Sequence, residues 1–122
     1  MNKKGRDYED MACEYLVKKG FKIIDKNFNV PQIGEIDIIA RDGSCIVFVE
    51  VRARKKAYYR PYETVDFKKI SRIIKASIFY LKKNSIDSTP VRYDVISIEE
   101  ADDRFEIEHF EGAFESDGRY TL

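Results

Sequence analysis

Two acids and an arginine set into apolar strands are the residues of this chain best suited to chemistry. Asp37 lies in GEIDIIARDG and Glu50 in CIVFVEVRAR. The two apolar-rich runs, Ile36 to Ala40 and Cys45 to Val51, are joined through Asp42-Gly43, a dipeptide that favours a tight hairpin turn. The pattern predicts a β-hairpin with side chains alternating between faces. Glu35, Asp37 and Ile39 then share one face of the first strand, and Ile36, Ile38 and Ala40 the other. On the second strand Val47, Val49 and Val51 point one way and Phe48, Glu50 and Arg52 the other. An unpaired carboxylate is costly in such surroundings, so a cation is expected between Asp37 and Glu50. Mg²⁺ or Mn²⁺ is the leading candidate, because hard cations take oxygen ligands and keep several waters. Such an ion could lower the pKa of a water and neutralise charge on a phosphate, the two needs of phosphodiester hydrolysis. Arg52, on the same face as Glu50, would stabilise charge developing on that phosphate. It keeps its proton at any working pH and so cannot act as a general base.

The neighbouring segments must hold these residues in place. A first helix is expected from about Arg6 to Lys19, stopping at Gly20, with Tyr8, Met11, Ala12, Tyr15 and Leu16 on its apolar face. Glu9 falls on the flank of that face and can reach the edge of the sheet. Phe21 to Val30 reads as a strand, and Pro31 to Gly34 as the turn into the hairpin, giving a three-stranded antiparallel meander. Beyond Arg54 the chain is polar and marked by proline, with Tyr58, Tyr59 and Tyr62 among Lys55, Lys56 and Arg60. That mixture suits a loop that tracks a nucleic-acid backbone and stacks on bases, and equally a loop whose tyrosines pack on the domain. A second helix starts near Thr64 or Asp66 and ends near Asn84, with Ile70, Ile73, Ile74, Ser77 and Leu81 inward. Lys68, Arg72, Lys75, Lys82 and Lys83 cluster opposite, around an exposed Phe79, as a contact face for nucleic acid or for a second copy of the chain in a homodimer. Val91 to Ile98 alternates as a strand parallel to the third, the helix serving as the right-handed crossover. An acidic turn, Glu99 to Asp103, leads to an edge strand, Arg104 to Glu111, and Gly112 to Leu122 is expected to fray. His109, the only histidine, has no ligand cluster at metal spacing and reads as an ordinary strand residue.

A chain of 122 residues fits a single domain able to bury its own core. Cys13 and Cys45 follow no metal-ligand spacing and read as reduced, partly buried thiols. With no apolar signal region at the amino terminus and no run of membrane-spanning length, a soluble, cytoplasmic protein is expected, with no membrane partner. Formal net charge is +0, but it is unevenly spread. From Arg52 to Lys83 eleven basic residues face two acidic ones, a net of +9, and from Asp94 to Asp117 ten acids face one arginine, a net of −9. A neutral protein can thereby present a basic surface to a polyanion, or its two charged segments can attract each other within the domain.

The succession of a helix glutamate, GEID and, about a dozen residues on, VEVR resembles the PD-(D/E)XK nuclease site. The match is closer to the YraN-like family of small bacterial proteins related to Holliday-junction resolvases. It runs from YEDMACEYLVKKGF through GEIDIIARDG and VFVEVRARKK to VRYDVISI. The resemblance implies a restriction-endonuclease-like α/β fold, a mixed sheet of antiparallel meander, crossover helix, parallel strand and edge strand, flanked by helices. It implies Asp37 and Glu50 as ligands of Mg²⁺ or Mn²⁺, Glu9 as the helix acid, and Arg52 in the position of the signature lysine. Two positions depart from the pattern: Arg52 replaces lysine, and Tyr8 stands where glycine is usual. The expected function is a metal-dependent endonuclease acting on DNA, branched or single-stranded DNA included. Nucleic acid would be bound through Arg54, Lys55, Lys56, Arg60, Lys68, Lys69, Arg72 and Lys75. The alternatives are a nucleic-acid-binding module with weak or no catalysis, and a protein-interaction domain in which Asp37, Glu50 and Arg52 form a buried ion-pair network.

Overall fold

Strands that are apolar on both faces need cover on both, and the two helices supply it. The structure, a computed structural model, describes residues 4–55 and 66–116. In chain order the elements are α1 (Lys4–Lys18), β1 (Lys22–Val30), β2 (Gly34–Asp42), β3 (Cys45–Lys55), α2 (Phe67–Lys83), β4 (Val91–Ala101) and β5 (Arg104–Phe114). The five strands form one sheet in the order β1-β2-β3-β4-β5, antiparallel except for the parallel pair β3–β4 that α2 bridges. This is the mixed α/β architecture expected from the sequence.

β3 shows how both faces are filled. Ile46 and Phe48 join a core with Ile70, Ile73, Ile74 and Tyr80 of α2, while Val47 and Val49 join a second core with Ala12 and Leu16 of α1. The helices thus lie on opposite faces of the sheet. α1 closes with Gly20 at φ +99° and with the Phe21 N–H donating to the Leu16 carbonyl at 2.9 Å, a left-handed cap that only glycine adopts without strain. α2 is capped by Asp66, whose carboxylate accepts the Lys69 backbone N–H at 3.1 Å. The helix approaches the start of β2 so closely that a Cβ on Gly34 would stand 2.6 Å from the Arg72 carbonyl oxygen and 2.9 Å from the Arg72 Cβ.

Several expectations are corrected. Gly112 to Phe114 does not fray: it continues β5, with Ala113 and Phe114 buried and the Phe114 ring stacked on Tyr93 at 5.1 Å. Glu99 and Glu100 belong to β4, so the turn is only Asp102–Asp103, with Asp102 at φ +55°. Strict alternation along β2 fails at Asp37, because Ile36 packs into the α2 core with Ile39 and not beside Ile38 and Ala40 on the α1 face. His109 is no ordinary strand residue. Its Nε2 stands 2.8 Å from Asp94 Oδ2, both side chains are enclosed, and Arg92 grips the same carboxylate at 2.9 and 3.0 Å. The Gly112 N–H completes the shell at 2.9 Å. Although burial opposes it, these hydrogen bonds hold the Asp94 carboxyl below the ordinary range. Asp94 and His109 are enclosed while Arg92 reaches partly into solvent, and the cluster lies on the α1 face. The loop residues Lys56, Tyr58, Tyr59, Arg60, Tyr62 and Thr64 lie outside the described residues.

Candidate functional site

The β2–β3 ladder pairs residues from Asp42↔Cys45 as far as Ile38↔Val49, and the next two side chains are Asp37 and Glu50. Beyond the last pair, Asp37 Oδ2 accepts the Val51 backbone N–H at 2.8 Å, a side chain taking the part of a ladder carbonyl. This substitution breaks the alternation of β2 and opens the sheet at the site. Burial, then the charge of Glu50, drives the Asp37 carboxyl up to about 7, against the opposing pull of the Val51 N–H and Lys69.

Glu50 is buried at 6 % exposure, on the α2 face of β3. Lys69 Nζ lies 2.6 Å from Glu50 Oε2, yet no donor meets that oxygen in hydrogen-bond geometry. The ion pair offsets the charge of Glu50 and, more weakly, that of Asp37, whose carboxyl stays raised. Pairing with Glu50 raises the Lys69 ammonium against the effect of its own burial, so it stays charged at working pH. Glu9 approaches from α1 on the other side. Its carboxyl is raised by burial and then by the charge of Asp37, while a hydrogen bond with the Asn27 side chain lowers it. Among the described residues no group of three or more histidine, cysteine or acidic side chains could hold a metal ion, so Glu9 stands near the acid pair without completing a triad.

An open hollow of about 460 Å³ adjoins the pair. Asp37 and Glu50 line it together with Gly34, Glu35 and Asp66, and Lys68, Lys69 and Arg72 of α2 also contribute. Arg52 lines a neighbouring hollow with Glu50, Lys69, Val95 and Phe114. The structure therefore brings Asp37, Glu50 and Lys69 together and sets Arg52 beside Glu50, away from Asp37's hollow. Of the residues expected to contact nucleic acid, Lys68, Arg72 and Lys75 are exposed on α2, and Lys55 is exposed at the end of β3. Arg54 is tied to Glu99 of the adjacent parallel strand at 3.2 Å, which realises in part the attraction between basic and acidic segments. Lys56 and Arg60 fall outside the described residues.

Two positions have roles that sequence reasoning misses. By type Lys69 groups with the solvent-facing cations, although it sits four residues before Ile73, one turn away on the margin of the apolar face, and the Asp66 cap fixes that phase. Asn27, at φ +55° in β1, gives no signal beyond being an asparagine in a strand.

Comparison with known proteins agrees over most of the chain. A family model described as "Uncharacterised protein family UPF0102" matches residues 8–98. A UPF0102 protein of Persephonella marina is 44 % identical over 115 residues, covering 93 % of this chain and 95 % of its own. One from Clostridioides difficile is 43 % identical over 115 residues, covering 93 % and 98 %, and one from Syntrophotalea carbinolica is 41 % identical over 115 residues, covering 93 % of each.

Proposed function

The chain belongs to the UPF0102, or YraN-like, family, and from that premise we propose that it is a metal-dependent endonuclease hydrolysing phosphodiester bonds in DNA, branched or otherwise structured DNA among its substrates. The observation that carries the reading is the acid pair at the open end of β2 and β3. Asp37 is held far above the ordinary carboxyl range beside Glu50, a buried carboxylate whose Oε2 is paired with the Lys69 ammonium. Two carboxylates so placed fit a small hard cation, since Mg²⁺ commonly takes one or two carboxylates and keeps the rest of its shell as water. Asp37 and Glu50 would be the ligands, and the ion's chemistry would be to acidify a water and offset phosphate charge.

The rest of the chain's contribution is positioning. Lys68 and Arg72 at the lip of the hollow would bind the backbone phosphates on either side of the reacting one, and Glu9, held by Asn27, would orient water on the α1 side. A second reading is supported by the Lys69–Glu50 contact: the acid pair is already partly neutralised from within, as a binding module without catalysis would need. Calorimetry with Mn²⁺ decides between them when joined to cleavage of a branched duplex. The nuclease reading expects binding by the wild type, loss of it in Asp37→Asn and Glu50→Gln, and cleavage that chelator abolishes. Absence of Mn²⁺ binding, or cleavage undiminished in chelator, overturns it. For the basic lip, Lys68→Ala with Arg72→Ala should lower the slope of log affinity against log salt by about 0.9 for each phosphate no longer neutralised.

A further inference from the structure

We infer that Lys69 is a cation with two partners: it neutralises Glu50 in the protein alone, and it turns to a phosphate of bound nucleic acid when that carboxylate oxygen is given to a divalent ion. The inference rests on the nuclease reading and gives to a helix the positive charge that the signature motif carries on the strand, where Arg52 stands here.

The side chain is built for both positions. Its backbone is anchored, because the Lys69 N–H is held by the Asp66 cap and the helix is seated on Gly34 one turn further on. The Lys69 side chain as a whole is 55 % exposed, whereas its partner Glu50 is 6 % exposed. A flexible stem on a fixed helix can move its ammonium by several ångströms at the cost of side-chain rotamers alone. The Glu50 contact is a single short ion pair from the ammonium to one carboxylate oxygen, so one charge-assisted contact is exchanged for another when the head moves to a phosphate. Lys69 also lines the hollow that holds Asp37, between Lys68 and Arg72, where a phosphate over the acid pair would lie. Arg52 lines only the adjoining hollow of the two. A cation that leaves an acid as the ion arrives keeps the pocket near neutrality in both states and engages a phosphate only in the loaded one.

The test is a double comparison of DNA binding with no cleavage required. The affinity of wild type and Lys69→Ala for a duplex is measured against salt, once in chelator and once in Ca²⁺, a hard cation that takes the same oxygen ligands. In chelator the two proteins should give the same slope. In Ca²⁺ the wild-type slope should be steeper by about 0.9, the increment for one neutralised phosphate, and Lys69→Arg should restore it. Equal slopes for wild type and Lys69→Ala in Ca²⁺, or an equal difference in both conditions, would overturn the inference. Ca²⁺ and Mn²⁺ binding by the wild type is measured alongside: its absence refutes the nuclease reading itself, and its presence with equal slopes refutes only the role of Lys69. Should Lys69→Ala fold poorly, Lys69→Gln keeps the stem and removes the charge, and the same comparison applies.

Discussion

Replacing Asp37 with asparagine should make the metal-free protein more stable, and only above mildly acidic pH. In the unfolded chain this carboxyl ionises near 3.8, and in the fold it is raised to about 7 by burial and by Glu50. Between those values the unfolded state holds fewer protons than the native one, so stability falls as pH rises through the window and is level above it. A shift of roughly three units at about 1.4 kcal/mol each sets the loss at no more than about 4 kcal/mol, an upper limit because water reaches the partly exposed carboxyl. An asparagine carries no such charge, yet its amide oxygen can still accept the Val51 N–H. Thermal unfolding in chelator should therefore show the two proteins nearly alike at pH 4 and Asp37→Asn ahead at pH 8, by up to about 15 °C for a domain of this size. Mn²⁺ at a hundred times Kd should narrow that gap by stabilising the wild type alone, by about 2.7 kcal/mol. A variant destabilised equally at both pH values would refute the assignment of a strained acid pair.

Gly34→Ala should cost about 1 to 3 kcal/mol, because the new methyl would meet the Arg72 backbone and push α2 off β2. Denaturant unfolding measures the loss, and an unchanged midpoint would show that α2 does not rest on that glycine. Asp94→Asn should cost about 3 to 5 kcal/mol near neutral pH, since Arg92 would lose a buried ionic partner. The Asp94 carboxyl is lowered in the fold, so its stabilisation is present above the ordinary carboxyl pKa and is lost as pH falls through its folded value. The acid limb of the variant's stability curve should accordingly be flatter than that of the wild type.

The hairpin, the crossover helix and the parallel strand are legible in the sequence because their signals are local: Asp42-Gly43 at the turn, Asp66 as a cap, and Val91 to Ile98 in alternation. The pairing of Asp37 with Glu50 follows from the same strand register. What sequence patterns miss arises mostly where a side chain competes with the backbone or where charge is paired across distant segments. Asp37 spends one oxygen on the Val51 N–H, and the period-two rule cannot foresee that Ile36 then turns to the other core. His109 and Asp94 are fifteen residues apart on antiparallel strands, and neither carries a local mark of burial. The carboxy-terminal residues look too polar to fold, and the burial of Ala113 and Phe114 depends on Tyr93, which composition alone does not connect to them.

β5 ends the sheet with eleven residues whose outer edge pairs with no described strand, and it carries Glu106, Glu108 and Glu111 just past the acidic turn Asp102–Asp103. Such an edge resists association with the edge of another sheet, since every approaching copy meets like charge. α2, with its lysines and Arg72, packs across β2 and β1 toward the opposite side of the same sheet. With a formal net charge of +0, the described residues thus set an acidic edge at β5 apart from the exposed cations of α2. At distances beyond about 10 Å, the screening length at 0.1 M salt, a polyanion feels little net pull. Closer in, a polyanion would exert a torque turning the acidic edge outward and the α2 face inward, so any such encounter would be sorted by orientation before contact.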